Sequence, residues 1–306
     1  MAQTLLKTCL KPFTPSLLRS LSISSNPIRP FSSSSTSSAD FTFEYIKNFD
    51  SIPKKEQEYL IYETFPISSS VIADINLELF RQLVSSDVIF TNNLILIREK
   101  TFNTIIGFSF TKIYEIFLGG QDKSFENKYM TTQYYNAVLP HFRGFGLGTV
   151  LTEVTEYLAQ KDWGDCNQVS FNITLNPMYY ELRSKYTPLI YPGPKELPSK
   201  GPEKLFRQIM DLVGLSPVSQ DKPGIIRLKN LHIIGQEKEK YTKRYNESSD
   251  YMKYFIDQHL FEQGLIMCNL AVYNLVEGNT MGIAPGRYKN FIPLMHEINE
   301  YKPKFI

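Results

Sequence analysis

The residues Arg143-Gly144-Phe145-Gly146-Leu147-Gly148 have the composition that an anion site needs. They follow an extended stretch ending in Val138-Leu139-Pro140. They precede one in which Leu147, Val150, Leu151, Val154 and Leu158 recur at helical spacing while Glu153, Glu156 and Gln160 fall opposite. Strand, turn and helix in that order bring the unpaired N–H groups of a first helical turn, and the positive end of its aligned peptide dipoles, to the turn. A pyrophosphate fits such a place. Gly144, Gly146 and Gly148 remove side chains that would hold phosphate oxygens away, and Arg143 adds a charged fork. Two other phosphate motifs fail on spacing. A Walker loop needs Gly-Lys-Ser/Thr, whereas Gly148 is followed by Thr149-Val150. A dinucleotide fingerprint needs a glycine three residues after its second, whereas Leu147, Gly148 and Thr149 follow Gly146.

The longer run from Ala137 to Gly148 resembles the coenzyme A segment of the GNAT acyltransferases, whose pattern is Gln/Arg-x-x-Gly-x-Gly/Ala. Arg143, Gly146 and Gly148 stand at its fixed positions. The resemblance covers residues 41 to 190 and implies an α/β (α+β) fold: a mixed, mostly antiparallel sheet with one splayed strand pair, flanked by helices. It also implies acetyl-CoA or another acyl-CoA as cosubstrate, held by Val138, Leu139, Arg143, Gly144, Phe145, Gly146, Leu147, Gly148 and Thr149. The pantetheine arm would enter between the strands Lys128 to Leu139 and Gln168 to Asn176. Transfer would go directly to an amine, on a small molecule or a protein, with a main-chain N–H around Val138 or Leu139 stabilising the oxyanion.

By the same resemblance Asn176 is a candidate contact for the pantetheine arm, and a helix cap before Pro177 is its other reading. Tyr179 or Tyr180 is the candidate acid for the departing thiolate, against a packing role for either. The interval from Asn176 is shorter than the family's, and Lys185-Tyr186-Thr187-Pro188 stands where that family has Gly-Phe. The glutamate that many relatives carry on the strand before the turn is missing from Lys128 to Leu139. Glu126, Tyr134 and His141 are left as candidates for moving a proton through water, His141 being equally readable as a surface residue. A missing base leaves a noncatalytic acyl-CoA-binding or interaction module as the alternative to an enzyme.

The elements that must position these residues are legible from periodicity. Ser51 and Pro53 open a helix through Tyr59, Leu60 and Tyr62 that Pro66 closes, and Asp74 caps a second carrying Ile75, Leu79, Phe80 and Leu83. Val88 to Arg98 and Thr104 to Phe117 predict a hairpin, and after a turn around Gly119, Gly120 and Asp122 a third strand leads into the glycine turn. Beyond the amphipathic helix, Val169, Phe171, Ile173 and Leu175 alternate with polar residues as in a strand, and a short helix follows Pro177. Residues 191 to 201 predict a connector. Pro202 to Val213 predicts a helix, Ile225 to Ile234 a strand, Asp250 to Gln263 a helix and Leu265 to Leu275 a final strand. The domain reading is therefore a leader of residues 1–39, a core of residues 40–190 and an extension of residues 191–306 that completes the same domain.

Composition narrows the partners. A formal charge of +2 without long basic runs gives no footprint for nucleic acid, and the apolar stretch Gly264 to Val276 is too short to span a bilayer. Cys9, Cys166 and Cys268 lie far apart and the four histidines are scattered, so neither a disulfide framework nor a metal site is expected. Before Asp40 there is no acidic residue, while Lys7, Lys11, Arg19 and Arg29 stand among serines and leucines. That is the composition of a transit peptide, with Arg29-Pro30-Phe31-Ser32 as a processing site. It predicts a mitochondrial matrix protein, against a chloroplast or cytoplasmic location with a plain Ser-rich leader. The acceptor is chosen by parts without a motif, and residues 191–306 could complete the sheet, cover the acceptor cleft or form a homodimer contact.

Overall fold

The hairpin read from the sequence is the centre of the sheet. β2 (Thr91–Glu99) and β3 (Thr104–Phe117) pair antiparallel, and β3 pairs in the same sense with β4 (Lys128–Val138) over its whole length. The structure is a computed structural model and describes residues 41–85, 91–117, 128–163, 167–174, 176–187, 189–197, 200–227, 245–258, 265–272 and 298–302. The leader, the turn at Gly119, Gly120 and Asp122, and Glu126 lie outside the described residues, as does the side chain of Tyr134.

Around the meander stand β1 (Phe41–Ile46), antiparallel to β2, and β5 (Asn167–Thr174), parallel to β4. β8 (Leu265–Val272) lies antiparallel along β5, and its far edge is shared end to end by β6 (Leu189–Tyr191) and β7 (Ile225–Arg227). β9 (Ile298–Glu300) runs parallel to β1. The spatial order is β6-β8-β5-β4-β3-β2-β1-β9, so one sheet takes strands from both sides of residue 190.

Strand alternation sorts the core into two layers. Leu94, Leu96, Phe108 and Phe110 face α1 (Lys54–Ser69) and α2 (Leu77–Val84), and further along that face Phe171, Ile266 and Leu270 pack on α5 (Gly201–Leu212). The other face carries Phe43, Ile95 and Ile97 under Leu147, Leu151, Val154 and Leu158 of α3 (Leu147–Trp163). Beside them Met267 and Ala271 lie under Tyr180 of α4 (Pro177–Tyr186) and Tyr251 and Phe255 of α6 (Asp250–Asp257).

Several expectations shift. Pro66 does not close α1, which runs to Ser69: the ring removes one N–H donor, but buried Ile67 and Ser68 hold the last turn on the sheet, and Ser70 N–H reaches Pro66 O at 3.1 Å. Asp74 is not the cap of α2. It sits at φ +59°, and Asn76 caps, its Oδ1 accepting from Leu79 N–H at 2.8 Å. β1 precedes the helices and went unread, and β8 is followed by β9, so it is not the final strand. The strand read to Ile234 and the helix read to Gln263 are described only as far as Arg227 and Asp257.

Candidate functional site

β4 and β5 part company within their own length. Their parallel register runs from Tyr129 opposite Asn167 to Thr132 opposite Ser170. Beyond it β4 stays with β3 as far as Val138 opposite Gly107, and β5 stays with β8 as far as Thr174 opposite Met267. Each strand thus keeps its outer neighbour and loses its inner one, which opens a wedge between residues 133–138 and 171–174. Peptide groups in a strand point alternately to its two sides. Leu139 N–H donates to Ile106 O at 2.9 Å, so that donor is committed to the β3 side, and the N–H groups of Val138 and Asn136 point into the wedge. Of the two main-chain donors named from the sequence, the Val138 N–H therefore faces the wedge and the Leu139 N–H does not.

The mouth of the wedge is the glycine turn. Pro140–Phe142 form one 3-10 turn, Gly144 and Gly146 have φ of 88° and 76°, and α3 starts at Leu147. These two positions need glycine for backbone reasons, since positive φ is strained for side chains. Val150 N–H bonds to Gly146 O at 3.0 Å, so the N–H groups of Leu147, Gly148 and Thr149 precede the first intrahelical bond. A Cβ built on Gly144, Gly146 or Gly148 would meet nothing within 4 Å, so open space lies over all three. Arg143 and Phe145 are exposed, while the Leu147 side chain is buried in the core and pins the helix start. Backbone amides at a helix N-terminus and an exposed guanidinium around open space suit the diphosphate of a coenzyme A thioester. His141 is exposed in the 3-10 turn.

Buried hydroxyls and a half-buried amide lie next to the wedge on the face that carries α3. Thr155 of α3 lies 3.1 Å from Ser109, Thr152 accepts from Asn136 at 3.4 Å, and Ser170 donates to the Thr132 carbonyl at 3.2 Å. On the opposite face Tyr135 meets Ser68 at 2.5 Å, and burial pushes its phenol up to about 12. Further on, Asn172 of β5 and Asn269 of β8 are cross-strand partners, both buried, and the Asn269 amide makes no hydrogen bond among the described residues.

The residues named on α4 separate sharply. Asn176 is the N-cap, its Oδ1 accepting from Met178 N–H at 3.0 Å and Tyr179 N–H at 3.4 Å, which favours the capping reading over a pantetheine contact through that oxygen. Tyr180 is fully buried, surrounded by Tyr251, Tyr254 and Phe255, and its hydroxyl donates to Pro192 O at 2.7 Å. Burial raises its pKa far above the ordinary phenol value. It is a packing residue, and its place among the candidate acids is corrected. Tyr179 is half-buried, with its hydroxyl 3.3 Å from the amide of Asn172 and 3.2 Å from Nη1 of Arg183, beside the unpaired part of β5. Asn172 and Arg183 were not singled out from the sequence. Their signals are the polar face Ser170, Asn172, Thr174 of the strand and the helical i,i+4 spacing of Tyr179 and Arg183. Among the described residues no group of three or more His, Cys, Asp and Glu could hold a metal ion, and no helix is long and apolar enough to cross a membrane. Cys268 is buried and its thiol pKa is raised by that burial.

No model of a known protein family and no curated protein matches the sequence. Among solved structures, glucosamine-6-phosphate N-acetyltransferase from Arabidopsis thaliana is 18% identical over 46% of this chain and 88% of its own, with a TM-score of 0.29. A GNAT family acetyltransferase from Elizabethkingia anophelis, solved with acetyl-CoA bound, is 19% identical over 51% of this chain and 90% of its own, with a TM-score of 0.31. The architecture is carried by the chain's own topology: an antiparallel meander runs into a glycine turn at a helix N-terminus and a parallel strand pair divides beside it, in a mixed, mostly antiparallel sheet flanked by helices.

Proposed function

We propose that the protein is an acyl-CoA-dependent N-acyltransferase, moving an acetyl or related acyl group from its thioester directly to an amine. The observation that carries this reading is the wedge between β4 and β5 with the glycine turn at its mouth. The turn binds the diphosphate through the N–H groups of residues 147–149, with Arg143 alongside. The exposed backbone edges of β4 and β5 pair with the amides of the pantetheine arm. Val138 N–H donates to the carbonyl oxygen as the amine adds to the carbonyl carbon, and Tyr179 gives its proton to the sulfur as the C–S bond breaks. The proton lost by the amine goes to solvent, with His141 as the described candidate for relaying it.

One observation favours a binding module instead. β4 carries no carboxylate anywhere between Lys128 and Val138, so this strand of the wedge offers none as a general base. The two readings separate by titrating the protein with acetyl-CoA in a calorimeter and then following thiol release with a panel of primary amines. Binding with amine-dependent release supports the enzyme, binding with no acceptor consumed supports the module, and no heat at all removes both. The mitochondrial address belongs to the proposal as well. Fractionation of cells carrying a tagged full-length chain tests it, and a diffuse cytosolic signal with an intact N-terminus counts against import.

A further inference from the structure

Among the described residues Arg183 is the largest fully buried side chain, with 1% of its surface exposed, and the transfer step as described makes no use of it. Burying a guanidinium costs several kcal/mol unless every hydrogen is placed, and an apolar side chain of similar volume would fill the space under α4 at less expense. Stability alone therefore gives no reason for an arginine here. Its surroundings give a chemical one. Nη1 and Nη2 donate to Oδ1 of Asn172 at 2.7 and 3.2 Å, and Nη1 also donates to the Tyr179 hydroxyl at 3.2 Å. The guanidinium carbon lies 5.7 Å from the centre of the Tyr179 ring. The orientation of the Asn172 amide follows from this network, because the reverse would set its NH2 group against the guanidinium, donor facing donor at 2.7 Å. With Oδ1 turned to Arg183, Nδ2 donates to the Tyr179 hydroxyl at 3.3 Å. The phenol oxygen thus accepts from two fixed donors, and its own hydrogen points away from both.

We infer that Arg183 is a positioning residue for acyl transfer: with Asn172 it holds Tyr179 as a proton donor at the edge of the wedge and steadies the phenolate left after the proton has gone. The inference rests on the acyltransferase reading. In the step it serves, the amine nitrogen has already bonded to the carbonyl carbon; the C–S bond breaks with its electron pair going to sulfur, the sulfur takes the phenol proton as it departs, and Tyr179 is reprotonated from solvent. Two hydrogen bonds donated to the phenol oxygen strengthen as negative charge grows on it, so they stabilise the transition state more than the ground state. Loss of the arrangement should accordingly appear in kcat and leave the acyl-CoA KM alone.

The experiment follows thiol release from acetyl-CoA in the full chain, with primary amines and with water as acceptors, for Arg183→Lys, Tyr179→Phe and the double variant. Arg183→Lys keeps the charge and loses the fork, and is expected to lower kcat about tenfold or more with the acyl-CoA KM within about twofold of wild type. In the Tyr179→Phe background the same change is expected to have no further effect on kcat, because the phenol it serves is gone. A structural role would predict the opposite, an equal loss in both backgrounds, and that result overturns the inference, as does a rise in KM at unchanged kcat. Asn172→Asp guards against a folding failure: it supplies Arg183 with a carboxylate while removing the Nδ2 donor, and is expected to fold and to lose kcat. Retention of full kcat by a folded Asn172→Asp also counts against the idea. A wild-type protein that binds acetyl-CoA yet releases no thiol removes the transfer reading first, and Arg183's role with it.

Discussion

Adjacent residues on a helix point about 100° apart, so at most one of Tyr179 and Tyr180 can look toward the wedge, and the rotation of α4 decides which. That rotation is set from above, by Tyr251, Tyr254 and Phe255 closing around Tyr180. The two tyrosines were legible in the sequence as a pair, but the choice between them depended on a helix some seventy residues away. Tyr180→Phe is expected to lower stability by about 1 kcal/mol through loss of a buried hydrogen bond to Pro192 O, with kcat unchanged. Urea unfolding beside thiol-release kinetics reads both, and a large fall in kcat with normal stability would return Tyr180 to the chemistry. Lys112 offers a second test at this scale. Its ammonium donates to Ser85 O at 3.0 Å, and burial pulls its pKa down to about 8 although Asp50 works to raise it. Between that value and the unfolded lysine value of roughly 10.4 the unfolded chain binds more protons than the folded one, so stability conferred at this position rises with pH in that window. Wild type should therefore gain on Lys112→Met as the pH climbs from about 8 toward 10, and a difference that stays flat across the range would contradict the burial.

At the scale of the element, the glycine turn was readable because its chemistry is local. Anion binding needs only small residues, a helix start and a nearby cation, and all lie within Arg143 to Thr149. The ends of α1 and α2 were not readable on the same terms. Whether a helix survives its proline depends on what the following turn can bury, and the choice of Asn76 over Asp74 depends on where the preceding loop enters a left-handed residue. Within the turn the three glycines do different work, and this gives a prediction. Gly144 and Gly146 have positive φ, whereas Gly148 lies inside α3 with no such requirement and with open space where a Cβ would be. Gly148→Ala is expected to stabilise the fold by up to about 1 kcal/mol through helix propensity. The same methyl crowds the phosphate oxygens, so acetyl-CoA affinity should fall. Gly146→Val is expected to lose affinity and stability together, because its backbone is strained whatever the space around it. Should Gly148→Ala bind acetyl-CoA as tightly as wild type, the diphosphate does not sit over that amide.

The whole molecule is built on one sheet that later segments of the chain extend on both sides. β8, from the C-terminal third, completes the wedge by holding β5 away from β4, while β9 caps the opposite edge beside β1. Neither placement was visible in the sequence, since periodicity reports that a segment is a strand and says nothing of its neighbour. β1 did have a readable alternation in Phe41, Phe43 and Tyr45, overshadowed by the serine-rich leader it follows. The β9 contact is more than an edge cover. Tyr301 N–H bonds to Tyr45 O at 3.2 Å, and the Tyr301 hydroxyl donates to the carboxylate of Glu56, which is fully buried in the first turn of α1. Tyr301→Phe should therefore destabilise the protein by roughly 1.5–3 kcal/mol, the range for hydrogen bonds to charged groups. A chain ended at residue 297 should do that and also bare the backbone of β1, which invites edge-to-edge pairing between molecules. Unfolding midpoints and static light scattering across a concentration series separate the two effects. The point variant is expected to unfold earlier yet stay dispersed, and the shortened chain to unfold earlier and associate. An unchanged midpoint and unchanged scattering in the shortened chain would mean that β1 does without its parallel neighbour.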